Sequence, residues 1–317
     1  MTSSRDTRAD DHAASSWNLE RIVSELRARR TASQQSPEPR ATAEKLPSWR
    51  AVLDILDGLR AALFPTHFGE PELTDEGVDY FVGHTLDKTL GTLLEQVRRE
   101  LRCTARREGR GGDGVEAHAL EIVQQFAARL SAVRALLESD LTAADRGDPA
   151  AKNIDEILFC YPGVAAIIHY RLAHVLYRLG TPLLARMISE VAHSRTAVDI
   201  HPAAEIGGSF FIDHGTGVVI GETTVVGERV RLYQAVTLGA RSFAIDEHGA
   251  LVKGIPRHPI VEDDVVVYAG ATILGRITIG RGSTIGGNVW LTKSVPPGSN
   301  ITQAQVRTDV FDGGAGI

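Results

Sequence analysis

Hydrophobic and polar positions follow two different periods along this chain. From Trp49 the apolar residues recur at helical spacing. SWRAVLDILDGLRAALFP places Val52, Leu56, Leu59 and Leu63 on one stripe, and Pro65 stops it. DYFVGHTLDKTLGTLLEQVRRELR and AHALEIVQQFAARLSAVRALLESDLTAADRGDPAA continue the alternation of apolar stripes and charged faces. IDEILFCYPGVAAIIHYRLAHVLYRL and TPLLARMISEVAHSRT carry it to Thr196. Residues 48–197 therefore read as an all-helical domain. Residues 1–47 read as a flexible polar arm with one helix-prone patch, WNLERIVSELRARR.

Beyond Thr196 the period changes to six. Ile200, Ile206 and Ile212 start it, and after a two-residue slip it resumes at Ile220, Val226, Leu232 and Leu238. It returns at Val261, Val267, Ile273, Ile279, Ile285 and Leu291, often with glycine directly after the aliphatic residue. A helix repeats at 3.6 and an ordinary strand at two. Six is the period of a parallel β-helix, in which each repeat supplies one short strand and a tight turn. The aliphatic residue points inward and stacks on its counterparts in the coils above and below. The expected fold class is α+β, an N-terminal all-helical domain and then a parallel β-helix of hexapeptide repeats over 198–301. Residues 302–317 read as a flexible tail.

One interruption stands out. Twenty-three positions separate Leu238 from Val261 where one repeat needs six, so about 17 residues must be extruded as a loop. Long loops on rigid scaffolds commonly carry function. Arg257 and His258 sit where this one rejoins the coil.

Composition narrows the function. The chain has 317 residues, a net charge of −6 and an isoelectric point near 6.0, so it offers no basic footprint for nucleic acid. It has no apolar run of membrane-spanning length and no secretory leader pattern, and Cys103 and Cys160 form neither a disulfide framework nor a metal-binding spacing. A soluble cytoplasmic protein is expected.

The chemistry gathers in DIHPAAEIGGSFFIDHGTGVVIGE. Asp199 and His214 lie 15 residues apart, just short of one 18-residue coil, which puts them on neighbouring layers near one corner of the prism. A carboxylate beside an imidazole fixes its tautomer and stabilises the imidazolium, so His214 can act as general base on a hydroxyl. Asp213 precedes it directly, and Arg257 with His258 can close the site from above. Backbone amides at Gly239 and Ala240 are candidate donors to an oxyanion. The coil holds no cysteine and no serine elbow, so the activated hydroxyl belongs to the substrate. Asp148 reads either as a substrate contact or as the cap of a helix beginning near Ala150. His201, His214 and His258 lack the spacing of a metal triad, so no metal is expected.

The runs VDIHPAAEIGG, IDHGTGVVIGETTVVGERVRLYQAVTLGA and RHPIVEDDVVVYAGATILGRITIGRGSTIGG resemble bacterial serine O-acetyltransferases of the hexapeptide acyltransferase superfamily, as does GDPAAKNIDEILFCYPGVAAIIHYRLAH. The likeness spans roughly residues 146–301. It implies a left-handed β-helix that assembles as a homotrimer or a dimer of trimers, with active sites between subunits. It implies acetyl transfer from acetyl-CoA, as co-substrate, to the hydroxyl of L-serine, the first step of cysteine biosynthesis, with L-cysteine as feedback inhibitor. On the matching positions, His214 is the general base and Asp199 its orienting carboxylate. Asp148 and Asp213 hold the serine amine, Arg257 and His258 grip its carboxylate, and Gly239 and Ala240 lie along the acetyl-CoA arm. The terminal Ile317 matches family members that dock this residue into O-acetylserine sulfhydrylase. Two other readings are an acetyltransferase for a different hydroxyl acceptor and a non-catalytic regulatory partner of the sulfhydrylase.

Overall fold

The structure, a computed structural model, describes residues 17–34, 45–242, 245–247 and 249–303. Ile317 and most of the expected tail lie outside the described residues, as do parts of the arm. The helical half comprises α1 (Leu19–Gln34), α2 (Trp49–Leu63), α3 (Pro65–Phe68), α4 (Val78–Arg107), α5 (Val115–Gly147), α6 (Ile154–Cys160), α7 (Pro162–Arg178) and α8 (Pro182–Thr196). The helix-prone patch of the arm is α1, and it is exposed along the length over which its side chains are described. In α2 the stripe of Val52, Leu56, Leu59 and Leu63 is buried, Ser48 caps the N-terminus, and Pro65 ends the run by opening α3 as a new first turn. Among the described residues no helix is long and apolar enough to cross a membrane.

The second half is a prism of three parallel sheets. Its strands are β1 (Asp199–Ile200), β2 (Glu205–Ile206), β3 (Phe211–Ile212), β4 (Val219–Ile220), β5 (Val225–Val226), β6 (Arg231–Leu232), β7 (Thr237–Gly239), β8 (Ile260–Val261), β9 (Val266–Val267), β10 (Thr272–Leu274), β11 (Thr278–Ile279), β12 (Thr284–Ile285), β13 (Trp290–Leu291) and β14 (Asn300–Ile301). They stack as β1-β4-β7-β10-β13 on a first face, β2-β5-β8-β11 on a second and β3-β6-β9-β12-β14 on a third. Strands β1 to β13 visit the three faces in turn, and β14 closes the third face after an isolated bridge of Val295 to Ile279 on the second, which makes the parallel β-helix expected from the six-residue period. The aliphatic residues of that period all lie in register on the inner side: Ile200 beside Ile220, Ile220 beside Leu238, Leu238 beside Ile273 and Ile273 beside Leu291. All are buried except Leu291, which packs partly buried against the core near the open end. Truncating one of them to alanine costs about 2–5 kcal/mol, because neighbouring coils cannot collapse into the space.

A buried polar clamp joins the halves. The Arg171 guanidinium on α7 donates to both carboxylate oxygens of Asp140 on α5, at 3.0 and 3.1 Å, and to the carbonyls of Ile206 and Gly207, each at 2.6 Å. Asp140 in turn accepts the Phe210 amide at 2.8 Å, and the Tyr170 hydroxyl donates to the Ala204 carbonyl at 2.6 Å. The first coil is thus fixed to α5 and α7 immediately before β3.

Candidate active site

Most corners of the prism between one strand and the next contain four residues. The corner from β3 to β4 contains six, Asp213 to Val218, and this is the two-residue slip in the period. The extra residues form a bulge. His214 adopts a left-handed backbone (φ 58°), unfavourable for a residue with a Cβ, and its imidazole projects into solvent with 71% of the side chain exposed. Its Nε2 lies 3.8 Å from Oδ1 of Asp213. The bulge rests on the start of the coil below, where the Gly217 amide donates to the Ala197 carbonyl at 2.8 Å.

Asp199 follows that support by two residues, so it shares the edge and the adjacent layer with His214, as the spacing implies. The two side chains do not pair within the chain. No ion pair or hydrogen bond joins them, and Asp213 is the carboxylate within 4 Å of His214. The physical reason is the left-handed bulge, which carries the ring outward, whereas Asp199 begins a strand on the first face and lies in the field of His201.

The helical half adds to this edge. Asp148 terminates α5; its Oδ1 accepts the Ala150 amide at 2.8 Å and its Oδ2 accepts the Tyr161 hydroxyl at 2.5 Å. No helix starts at Ala150. The next one begins at Ile154 and is capped by Asn153, so the helix-cap reading of Asp148 is wrong. The Tyr161 hydrogen bond, then that of Ala150, then the charges of His214 and Arg231 hold the Asp148 carboxyl below its usual range. The same hydrogen bond pushes the Tyr161 phenol up to about 12. Asp148, Tyr161, Asp213 and His214 therefore form one acidic site with an imidazole at its rim.

Arg257 and His258 stand on another edge of the prism and do not close over His214 of the same chain. The bulge precedes the first face, whereas the extruded loop follows it, leaving from Gly239 at the end of β7 and rejoining at β8. The loop base therefore occupies the next edge. Ala240 opens the loop, Gly239 pairs with Leu274 in β10, and the tip folds as a small hairpin with a bridge between Ile245 and Leu251. Arg257 Nη2 donates to Glu222 Oε2 at 2.6 Å. Burial alone would raise the Glu222 carboxyl, but the Arg257 hydrogen bond and charge hold it below its ordinary value. His258 is buried against Gly221, where a Cβ would fall 2.0 Å from the ring, so glycine is required there. Burial first, and the Arg257 charge second, bring His258 down to about 4, leaving a neutral imidazole at physiological pH. His201, two coils below, is likewise lowered to about 4 by burial and then by Arg186.

Sequence reasoning did not select Tyr161, Glu222 or Thr223. The last two were accessible to it: once the 17-residue loop is excised, Glu222 and Thr223 fall one coil below Arg257 and His258. Tyr161 carries no periodic signal, because it meets Asp148 only through the turn around α6.

The model of the family described as bacterial transferase hexapeptide (six repeats) matches residues 258–293. A serine acetyltransferase (plasmid) of Synechococcus elongatus is 59% identical over 311 residues, covering 95% of this chain and 96% of that one. The crystal structure of serine acetyltransferase isoform 3 from Entamoeba histolytica in complex with cysteine is 31% identical, with a TM-score of 0.69, covering 93% of this chain and 96% of that one. The serine complex of the Neisseria gonorrhoeae serine acetyltransferase is 29% identical, with a TM-score of 0.52, covering 81% of this chain and 97% of that one.

Proposed function

The chain belongs to the serine acetyltransferase family, and from that membership we propose that it transfers acetyl from acetyl-CoA to the hydroxyl of L-serine, releasing O-acetyl-L-serine and CoA in the cytoplasm. The observation that carries the assignment of residues is the six-residue corner Asp213–Val218, which alone among the ordinary corners of the coil pushes an imidazole outward beside carboxylates. His214 takes the serine hydroxyl proton as that oxygen attacks the thioester carbon. The tetrahedral oxyanion then collapses, the C–S bond breaks and the CoA thiolate leaves, with no acyl-enzyme. Asp199 orients the imidazolium once the exposed ring turns back over the Ala197 support. Asp148 and Asp213 hold the serine ammonium.

Arg257 and His258 bind the serine carboxylate from a neighbouring subunit. Their edge and the His214 edge are separated within one prism but face each other when copies pack side by side around a threefold axis, so a homotrimer, or a dimer of trimers, completes each site. Gly239 and Ala240, at the root of the loop on the Arg257 edge, then border the acetyl-CoA arm. L-Cysteine differs from serine by one atom and takes the same subsites as feedback inhibitor. Ile317, outside the described residues, is assigned to docking with O-acetylserine sulfhydrylase.

The test is CoA release with acetyl-CoA and a panel of acceptors. Serine-dependent release is the expected result. Release with a sugar or another hydroxy compound but not serine would reassign the acceptor, and sulfhydrylase binding without any release would leave a regulatory subunit.

A further inference from the structure

Thr223 makes every hydrogen bond that its backbone and side chain can direct at the base of the loop. Its Oγ1 accepts the amides of Arg257 at 2.9 Å and His258 at 3.1 Å, which occupies both lone pairs. The hydroxyl proton is then left for Nδ1 of His258, 2.9 Å away. The Thr223 amide also donates to that same Nδ1, at 3.1 Å. An amide N–H can only donate, so Nδ1 presents a lone pair to two donors and carries no proton. The ring proton resides on Nε2, which has no partner among the described residues and is not one of the buried unpartnered polar atoms. Gly221 admits the Nε2 edge of the ring, since a Cβ there would sit 2.1 Å from that nitrogen.

We propose that Thr223 is a positioning residue for acetyl transfer: it locks His258 as the neutral Nε2–H tautomer, so that this side chain serves as a fixed hydrogen-bond donor to the acceptor substrate and never as a cation or a base. This rests on the assignment of His258 to serine binding made above. The division of labour within the pair follows from it. Arg257, held by Glu222, supplies the positive charge, and His258 supplies direction. Protonating Nδ1 would set an N–H against two other donors, so the ring resists becoming an imidazolium.

The test uses the full chain with Thr223→Val, which keeps the shape and removes both functions of the hydroxyl, and Thr223→Ser, which restores them. Nitrogen-15 NMR of histidine-labelled wild-type protein at pH 7 should show His258 protonated on Nε2, identified by the loss of its signals in His258→Gln. A proton on Nδ1 would overturn the proposal, whatever the kinetics. In Thr223→Val the KM for serine should rise about tenfold, the worth of one hydrogen bond, with kcat changed less than threefold. An unchanged KM in Thr223→Val, or a serine variant as impaired as the valine one, would also overturn it. If His258→Gln leaves the KM for serine unchanged while NMR finds the Nε2–H tautomer, the fault lies in the assignment of His258 to substrate and not in the tautomer lock.

Discussion

The Tyr161 hydroxyl donates to Oδ2 of Asp148 at 2.5 Å, while the Ala150 amide holds Oδ1 at 2.8 Å. Both carboxylate oxygens are thereby fixed, and the group is kept ionised. If Asp148 binds the serine ammonium, Tyr161→Phe should raise the KM for serine by about tenfold, since a hydrogen bond to a charged group is worth about 1.5–3 kcal/mol. The value of kcat should barely move. Steady-state kinetics at saturating acetyl-CoA checks this, and an unchanged KM would detach Asp148 from serine.

His214 and the two aspartates near it are separable by mutation. His214→Ala should lower kcat by a factor of at least ~10², the usual worth of a general base. Asp199→Asn should lower kcat with little change in KM, whereas Asp213→Asn should raise the KM for serine. A wild-type rate for Asp199→Asn would remove it from the mechanism and leave Asp213 as the partner of the imidazole.

A site that joins the His214 edge of one subunit to the Arg257 edge of the next, as proposed above, predicts complementation. Chains carrying His214→Ala and chains carrying Arg257→Ala should each be nearly inactive alone. Co-assembled at equal amounts, every mixed trimer regains one intact cleft, so activity should recover to about a quarter of wild type. No recovery, despite mixed trimers verified by mass spectrometry, would place the whole site within one chain.

Stability should fall on acidification through a defined window. Burial lowers His169 and His258 from 6.5 to about 4 in the folded chain. Between those values the unfolded state binds more protons than the folded one, so stability rises with pH across the window and is lost as pH drops from 6.5 to 4. Thermal melts of wild type should show this decline, and it should be shallower in His169→Phe.

The clamp between the halves gives a further expectation. Asp140→Ala leaves the Arg171 guanidinium buried without its carboxylate, and breaking such a pair costs about 3–5 kcal/mol. Urea denaturation should register that loss. Replacing both partners by apolar residues should cost less.

The inner ladder from Ile200 to Leu291 was legible in the sequence because it obeys one local rule. Every sixth side chain must enter the same dry core, and an error in register would expose it. The slip before Ile220 and the gap after Leu238 were equally visible as failures of that rule, and in the structure they are the six-residue corner and the extruded loop. Outward residues obey no such rule. Nothing in a one-dimensional pattern says that Tyr161 reaches Asp148 around α6, or which atoms of Thr223 and His258 meet once the loop is excised.

The sequence by itself determined the prism, because hydrophobic burial repeats with the chain. Only the tertiary structure decided which edge each polar group occupies. That depends on how many residues each corner contains and on the left-handed turn at His214, which leaves the imidazole exposed beside Asp213 and unpaired with Asp199.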